Sequence, residues 1–228
     1  MGWFARIDRF GSGHMVRSQD ADYGCGISSI AMVNFKMKKG LLAAGLVAGT
    51  KVSVVPVIGG YLGVTLAKSA LDDAVKTEEE VRQAYVAVSG QNVDLNAQGA
   101  QWNQYPAVLA ALGLGTWIGV DTGATGFAQG VADATKDGAP VIVVVGYPGG
   151  GEHAMVIDET HSWIGGQYLC VCDPWDGELR LLWCPTTAPA APAYDATQQP
   201  VSVTFWGDRR SSSSAALGTF NPWIVKRT

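Results

Sequence analysis

The run Ala139-Pro-Val-Ile-Val-Val-Val145 does most to limit the folds open to this chain. After the proline come five successive β-branched residues with no polar face, so the segment needs apolar cover on both sides and reads as a buried strand. Three more strand-like runs follow. They are His153–Asp158, Gln167–Cys172 and Glu178–Trp183, the first delivered by the glycine-rich loop 146–152 and the last two joined by the turn Asp173-Pro-Trp-Asp-Gly177. Short runs joined by turn chemistry of this kind pair antiparallel. Further strands are expected at Thr116–Val120, at Val201–Trp206, and at Trp223–Val225 as a final edge strand.

Helical signals lie between and before these strands. Tyr105–Leu112 opens with Pro106 and stops at Gly113, and Gly126–Lys136 is closed by Gly138. Leu71, Val75, Val81, Tyr85 and Val88 are spaced for one helical face, with a fresh start at Thr77, whose following carboxylates Glu78–Glu80 read as a solvated first turn. The fold class is therefore α+β. With 228 residues, 47% of them hydrophobic, one domain spanning 1–228 is the default, and 29 glycines, 10 prolines and 8 tryptophans argue against a helical bundle. The net charge of −4, with no basic stripe, argues against a nucleic-acid partner.

Leu41–Ala67 stands apart. Its one charge is Lys51, and Pro56 and glycines 45, 49, 59, 60 and 63 interrupt it. The length would span a bilayer, but Pro56 and Gly59-Gly60 break it into two shorter pieces. It reads as an apolar packing insertion in preference to a membrane hairpin. Thr186–Gln199, rich in Ala, Pro and Thr, reads as a surface loop, and Arg209–Ser214 as a polar one.

The chemistry is concentrated at Gln19–Met37. A polar, turn-prone segment ends in Gly24-Cys25-Gly26, after which Ile27, Ile30 and Ala31 begin a helical stripe that should end near Lys38-Lys39-Gly40. Cys25 thus feeds a helix N-terminus, whose free N–H groups and partial positive charge favour a thiolate, the reactive form of cysteine. Gly24 and Gly26 leave room there for a substrate backbone. A cysteine in such a place is more often a small buried hydrophobe. Here, however, a glutamine stands six residues upstream, and His153 and Asp173 fall at the same edge of an antiparallel strand pair.

A glutamine, five residues, Cys-Gly and a small-and-apolar helix running through Ala-Met-Val resemble the papain superfamily of cysteine peptidases, and most of all the peptidases that trim double-glycine leaders from bacteriocins. The later glycine-rich loop, His153-x-x-Val-Ile and Asp173-Pro-x-x-Gly resemble the second half of the same pattern. Gly24 stands where that family usually has aspartate. The resemblance covers about sixty residues and implies a papain-like fold, with a catalytic helix on an antiparallel sheet. It also implies amide-bond hydrolysis, with Cys25 as nucleophile, His153 as acid–base, Asp173 as its orienter and Gln19 as oxyanion donor beside the Cys25 N–H. Asp158, His161 and Asp176 are the decoys, Asp176 being the alternative orienter. His14 reads as a loop histidine outside any constellation.

Cys170, Cys172 and Cys184 read as free thiols, the first two on one strand face. A zinc site is the sharper alternative to free thiols, but with no Cys-x-x-Cys pair and three histidines neither metal nor cofactor is expected. The implied substrates are polypeptides or peptidoglycan stem peptides. Without an apolar h-region in the first residues, the expectation is a chain that stays in the cytoplasm or leaves it by a route that needs no cleaved signal, as an antibacterial effector with an immunity or inhibitor partner. The reading from a different functional class is a degenerate papain fold that binds peptides without cutting them.

Overall fold

A computed structural model describes residues 2–52, 78–94, 97–185, 190–195, 203–206 and 217–228. Among these residues the architecture is α+β with antiparallel pairing throughout. The main sheet is built from β3 (Trp117–Asp121), β4 (Val141–Gly146), β5 (Glu152–Trp163), β6 (Gly166–Asp173), β7 (Glu178–Pro185), β8 (Ala193–Asp195) and β10 (Leu217–Arg227). Its order is β3-β10-β4-β5-β6-β7, with β8 pairing to β10. A smaller sheet, β2-β1-β9, combines β1 (Trp3–Ile7), β2 (Gly13–Arg17) and β9 (Val203–Trp206). The helices are α1 (Cys25–Val52), α2 (Glu78–Ser89), α3 (Tyr105–Ala111) and α4 (Phe127–Thr135).

The all-apolar strand is where its composition puts it. β4 lies inside the main sheet, and its side chains alternate between two apolar layers. Val141, Val143 and Val145 join Met155, Ile157, Leu169 and Val171 under Phe127 and Val131 of α4. Ile142 joins Ala154, Val156, Cys170 and Cys172 under Ile27, Ile30 and Ala31 of α1. The sheet is thus covered on both faces, which is why the central strands are apolar on both faces.

Four local readings need correction. α1 does not stop at Gly40 but runs to Val52. An interior glycine costs only about 1 kcal/mol against alanine, and the Leu-Leu-Ala-Ala that follows favours helix. The first part of the apolar segment 41–67 is therefore helical, and residues 53–67 lie outside the described residues, as does Thr77. No helix of the described residues is long and apolar enough to cross a membrane. β10 is not an edge strand: it runs between β3 and β4, with Ile224 and Val225 fully buried. Pro222 is tolerated inside the sheet because it falls within the register shift between Phe220 and Ile224, where a proline costs no ladder bond. The described part of Thr186–Gln199 is not surface loop either, since Ala193–Asp195 pairs with β10 and Tyr194 is buried. β5 is longer than expected and includes His161, with a bulge between Ile157 and Glu159.

The two sheets are joined by a buried ion pair. Arg6 of β1 is fully buried, and its Nε lies 3.2 Å from Glu178 Oε2 of β7. Removing one member of such a pair strands a charge in the interior, at a typical cost of about 3–5 kcal/mol. We therefore expect Arg6→Ala to destabilise the chain by about that amount in urea unfolding, and the paired Arg6→Met/Glu178→Leu change to cost much less. A double variant as unstable as Arg6→Ala would contradict this.

Candidate active site

Three segments distant in sequence meet at one end of the main sheet. Cys25 is the first residue of α1, and the first helical bond runs from the Ser28 N–H to the Gly24 carbonyl at 2.9 Å. His153 follows the glycine loop at the start of β5, and Asp173 ends β6. Cys25, His153 and Asp173 lie close together, in an arrangement compatible with a catalytic triad. The β5–β6 register, with Val156 opposite Cys172, brings the last two into reach.

Asp173 is held from several sides. Its Oδ1 lies 2.7 Å from His153 Nε2 and accepts from the Trp175 N–H at 2.8 Å. Its Oδ2 accepts from Arg180 Nη1 at 3.3 Å and from the Tyr194 hydroxyl. Burial alone would raise this carboxyl, but the charge and hydrogen bond of His153, with Arg180 and Tyr194, outweigh it and bring it to about 2. Burial works against a charged His153, yet Asp173 and the Cys25 sulfur push it up to about 10. Burial would likewise raise the Cys25 thiol. The hydrogen bond and charge of His153, with the Ala154 and Gly26 N–H groups, instead pull it below its ordinary value of 9.0. Since Asp173 occupies Nε2, Nδ1 is the ring nitrogen left for the sulfur. Both shifts favour a thiolate–imidazolium pair over the neutral one.

Cys25 is partly exposed, in a groove of about 750 Å³. One wall is the 99–105 segment with Trp102 and Tyr105, the other is the 147–153 loop with Tyr147, and Trp175 stands beside His153. Such a mainly apolar cleft with a few convergent polar groups is the usual form of a ligand-binding pocket. Tyr147 is pushed up to about 12 by burial and by the Asp173 and Cys25 charges, so it stays neutral.

Gln19 occupies a different place from the other three. Both N–H groups of its Nε2 are engaged, by the carbonyls of Ala21 at 2.8 Å and Asp22 at 2.9 Å. Through these two bonds it braces the loop before Cys25. The two glycines beside the sulfur also act otherwise than expected. A methyl group on Gly26 would strike the Tyr105 hydroxyl, and one on Gly24 would strike the Glu78 carboxylate. Protein atoms, not substrate, require them.

Glu78 is therefore no solvated first-turn residue; that description fits the exposed Glu79 and Glu80. It is buried, accepts from the Asp20 N–H at 3.0 Å and from Arg17 Nη2 at 3.4 Å, and is raised to about 7 by burial and by Asp20. Arg180 and Tyr194 were not found from the sequence. Tyr194 left one signal, a single aromatic in a run of Ala and Pro. Asp176 does not orient His153. It binds Arg180, at 3.1 Å to Nη1 and 2.5 Å to Nη2. His14, Asp158 and His161 lie elsewhere, in a cluster of their own. His14 is a buried residue of β2, not a loop histidine, with Nδ1 2.7 Å from Asp158 Oδ2.

The shifts at Cys25 and His153 set a pH dependence. Alkylation by iodoacetamide should be rapid at Cys25 already below pH 9 and slow at Cys170, Cys172 and Cys184, whose thiols burial pushes up. His153→Ala removes the imidazolium that lowers the thiol, so the alkylation profile should move to higher pH. Equal, slow labelling of all four cysteines, or a profile unmoved in His153→Ala, would contradict the ion pair.

No protein-family model matches the chain, and no curated protein sequence matches it.

Proposed function

We propose that the chain is a thiol-dependent amide hydrolase of papain-like architecture, acting on a polypeptide or a peptidoglycan stem peptide. The observation that carries this is the 2.7 Å bond between His153 Nε2 and Asp173 Oδ1. It turns the other ring nitrogen toward a cysteine that begins a helix and lines an open groove.

The thiolate attacks the amide carbonyl carbon, and the oxygen takes up negative charge. The Cys25 N–H, at the start of α1, is the donor best placed to receive it. Collapse breaks the C–N bond while His153 gives its proton to the leaving amine, producing a thioester and a neutral imidazole. Neutral His153 then takes a proton from water, the resulting hydroxide attacks the thioester, and the acid leaves as the thiolate–imidazolium pair re-forms. Asp173 stays ionised and fixes the ring throughout. Turnover needs both members of the pair. It should rise as Cys25 ionises, below the ordinary thiol range, and fall near pH 10 as His153 loses its proton.

Incubation of the wild type, Cys25→Ala and His153→Ala with unfolded protein and, separately, with purified peptidoglycan tests the reading by mass spectrometry of the products. Cleavage at discrete amide bonds of one substrate is expected from the wild type alone, with both variants folded. The same products from Cys25→Ala would sink the assignment. Wild type that binds peptides in the groove without cleaving them would favour the binding-module reading.

Gln19→Ala separates two roles. Because its amide holds the Ala21 and Asp22 carbonyls, the variant should disturb KM and kcat together. A fall of about 10²–10³-fold in kcat at unchanged KM would instead mark Gln19 as a direct oxyanion donor.

A further inference from the structure

A second cluster of chemistry-bearing side chains lies further along β5, and the proposed hydrolysis does not use it. Its centre is Asp8, in the connection between β1 and β2. The Phe10 and Ser12 N–H groups donate to Asp8 Oδ1, each at 2.9 Å, and fix the carboxylate so that Oδ2 faces inward. Around that one oxygen stand His161 Nε2 at 2.8 Å, His14 Nε2 at 3.3 Å and Cys170 Sγ at 3.6 Å. The donor atoms of Asp8, His14 and Cys170 all lie within 4.8 Å of one another.

We infer that Asp8, His14, His161 and Cys170 form a site for a divalent cation of zinc type, one that ties the β1–β2 connection to β5 and β6. The donor set is one carboxylate oxygen, two imidazole nitrogens and one sulfur, which suits zinc and excludes the hard, all-oxygen cations. Tetrahedral zinc with bonds of about 2.0–2.3 Å sets its ligand atoms roughly 3.3–3.7 Å apart; the separations of His14 Nε2 and Cys170 Sγ from Asp8 Oδ2 fall in that range, and His161, outside the mutually close trio, must turn inward to complete the set.

The outer groups match as well. His14 turns its second nitrogen to Asp158 Oδ2 at 2.7 Å, and His161 Nδ1 lies 4.0 Å from Glu159 Oε1. The carboxylate behind His14 fixes that ring's orientation and raises its basicity, while Glu159 stands near His161 beyond hydrogen-bond distance. The β5 bulge at Asp158 supplies both, since it puts two neighbouring residues opposite one residue of β6. Asp8, His14 and Cys170 are buried, and partly exposed His161 leaves a path from solvent. Charge selects this side of His14. The alternative trio His14, Asp158 and Cys172 has Lys36 Nζ only 3.0 Å from Asp158 Oδ1, an ammonium where a cation would add repulsion. Asp8 has the two imidazoles as its ion-pair partners among the described residues. Binding would displace the Cys170 thiol proton and any protons on the two Nε2 atoms, so the site fills with proton release.

The test uses the full chain carrying Cys25→Ala, which removes the groove thiol and makes the result independent of the hydrolase reading. After treatment with a chelator, the protein is titrated with cobalt(II). The inference expects one cobalt per chain, with a thiolate-to-cobalt charge-transfer band and the strong visible bands of a tetrahedral site, all displaced by zinc. Zinc should also raise the thermal midpoint of the chelated protein. The charge-transfer band should vanish in Cys170→Ser and persist in Cys172→Ser. No band in the Cys25→Ala protein would overturn the inference without any further variant. So would a band kept in folded Cys170→Ser and lost in Cys172→Ser.

Discussion

Asp173 is a buried anion, and the geometry of the candidate site follows from how it is accommodated. A carboxylate in a protein interior is costly unless opposite charge and hydrogen bonds meet it. Here the imidazole comes from β5, a backbone N–H from the turn after β6, a guanidinium from β7 and a phenol from β8. Four pieces of chain must therefore be in register before the charge is matched. Once they are, the ring of His153 has one orientation, and its free nitrogen faces the start of α1. The sheet register acts as the ruler for the chemistry, and the helix supplies the sulfur at its electropositive end.

The parts of this arrangement that could be read from the sequence are the local ones. Five β-branched residues at 141–145 can only be a buried strand, and the Asp173–Gly177 turn fixes the β6–β7 hairpin. From those two, with the helix beginning at Cys25, the meeting of His153 with Asp173 follows. The parts that could not be read depend on partners remote in sequence. Arg180 looks like any polar residue on a strand until Asp176 and Asp173 are seen beside it. Tyr194 sits in a run whose composition says loop, and β10 pulls it into the sheet. Gly24 and Gly26 look like openings for substrate. The Glu78 carboxylate and the Tyr105 hydroxyl, more than fifty residues away, fill those openings. Gln19 carries the right chemistry at the right spacing, but the carbonyls of its own loop hold its amide.

His14 was missed for a related physical reason. Polar residues around a histidine suggest a loop, yet alternation along β2 puts His14 inward, against a strand more than 140 residues later. The bulge at Asp158 is invisible in sequence, and it is what turns Asp158 toward His14. The molecule thus holds two buried His–carboxylate assemblies along the same β5–β6 pair. One opens on a groove through a partly exposed cysteine. The other closes around Asp8 beneath the N-terminal connection, and its thiol is buried. Burial and access, more than residue type, separate a reactive sulfur from a structural one.

The central claim is that Asp173 keeps His153 protonated as the partner of a thiolate. Nuclear magnetic resonance titration of the His153 ring measures this directly, because the ring nitrogen and carbon shifts report protonation and tautomer together. The account predicts that His153 holds its proton to about pH 10 and that its titration falls toward the ordinary imidazole value in Asp173→Asn. A wild-type His153 that titrates near 6.5, unmoved by Asp173→Asn, would contradict it.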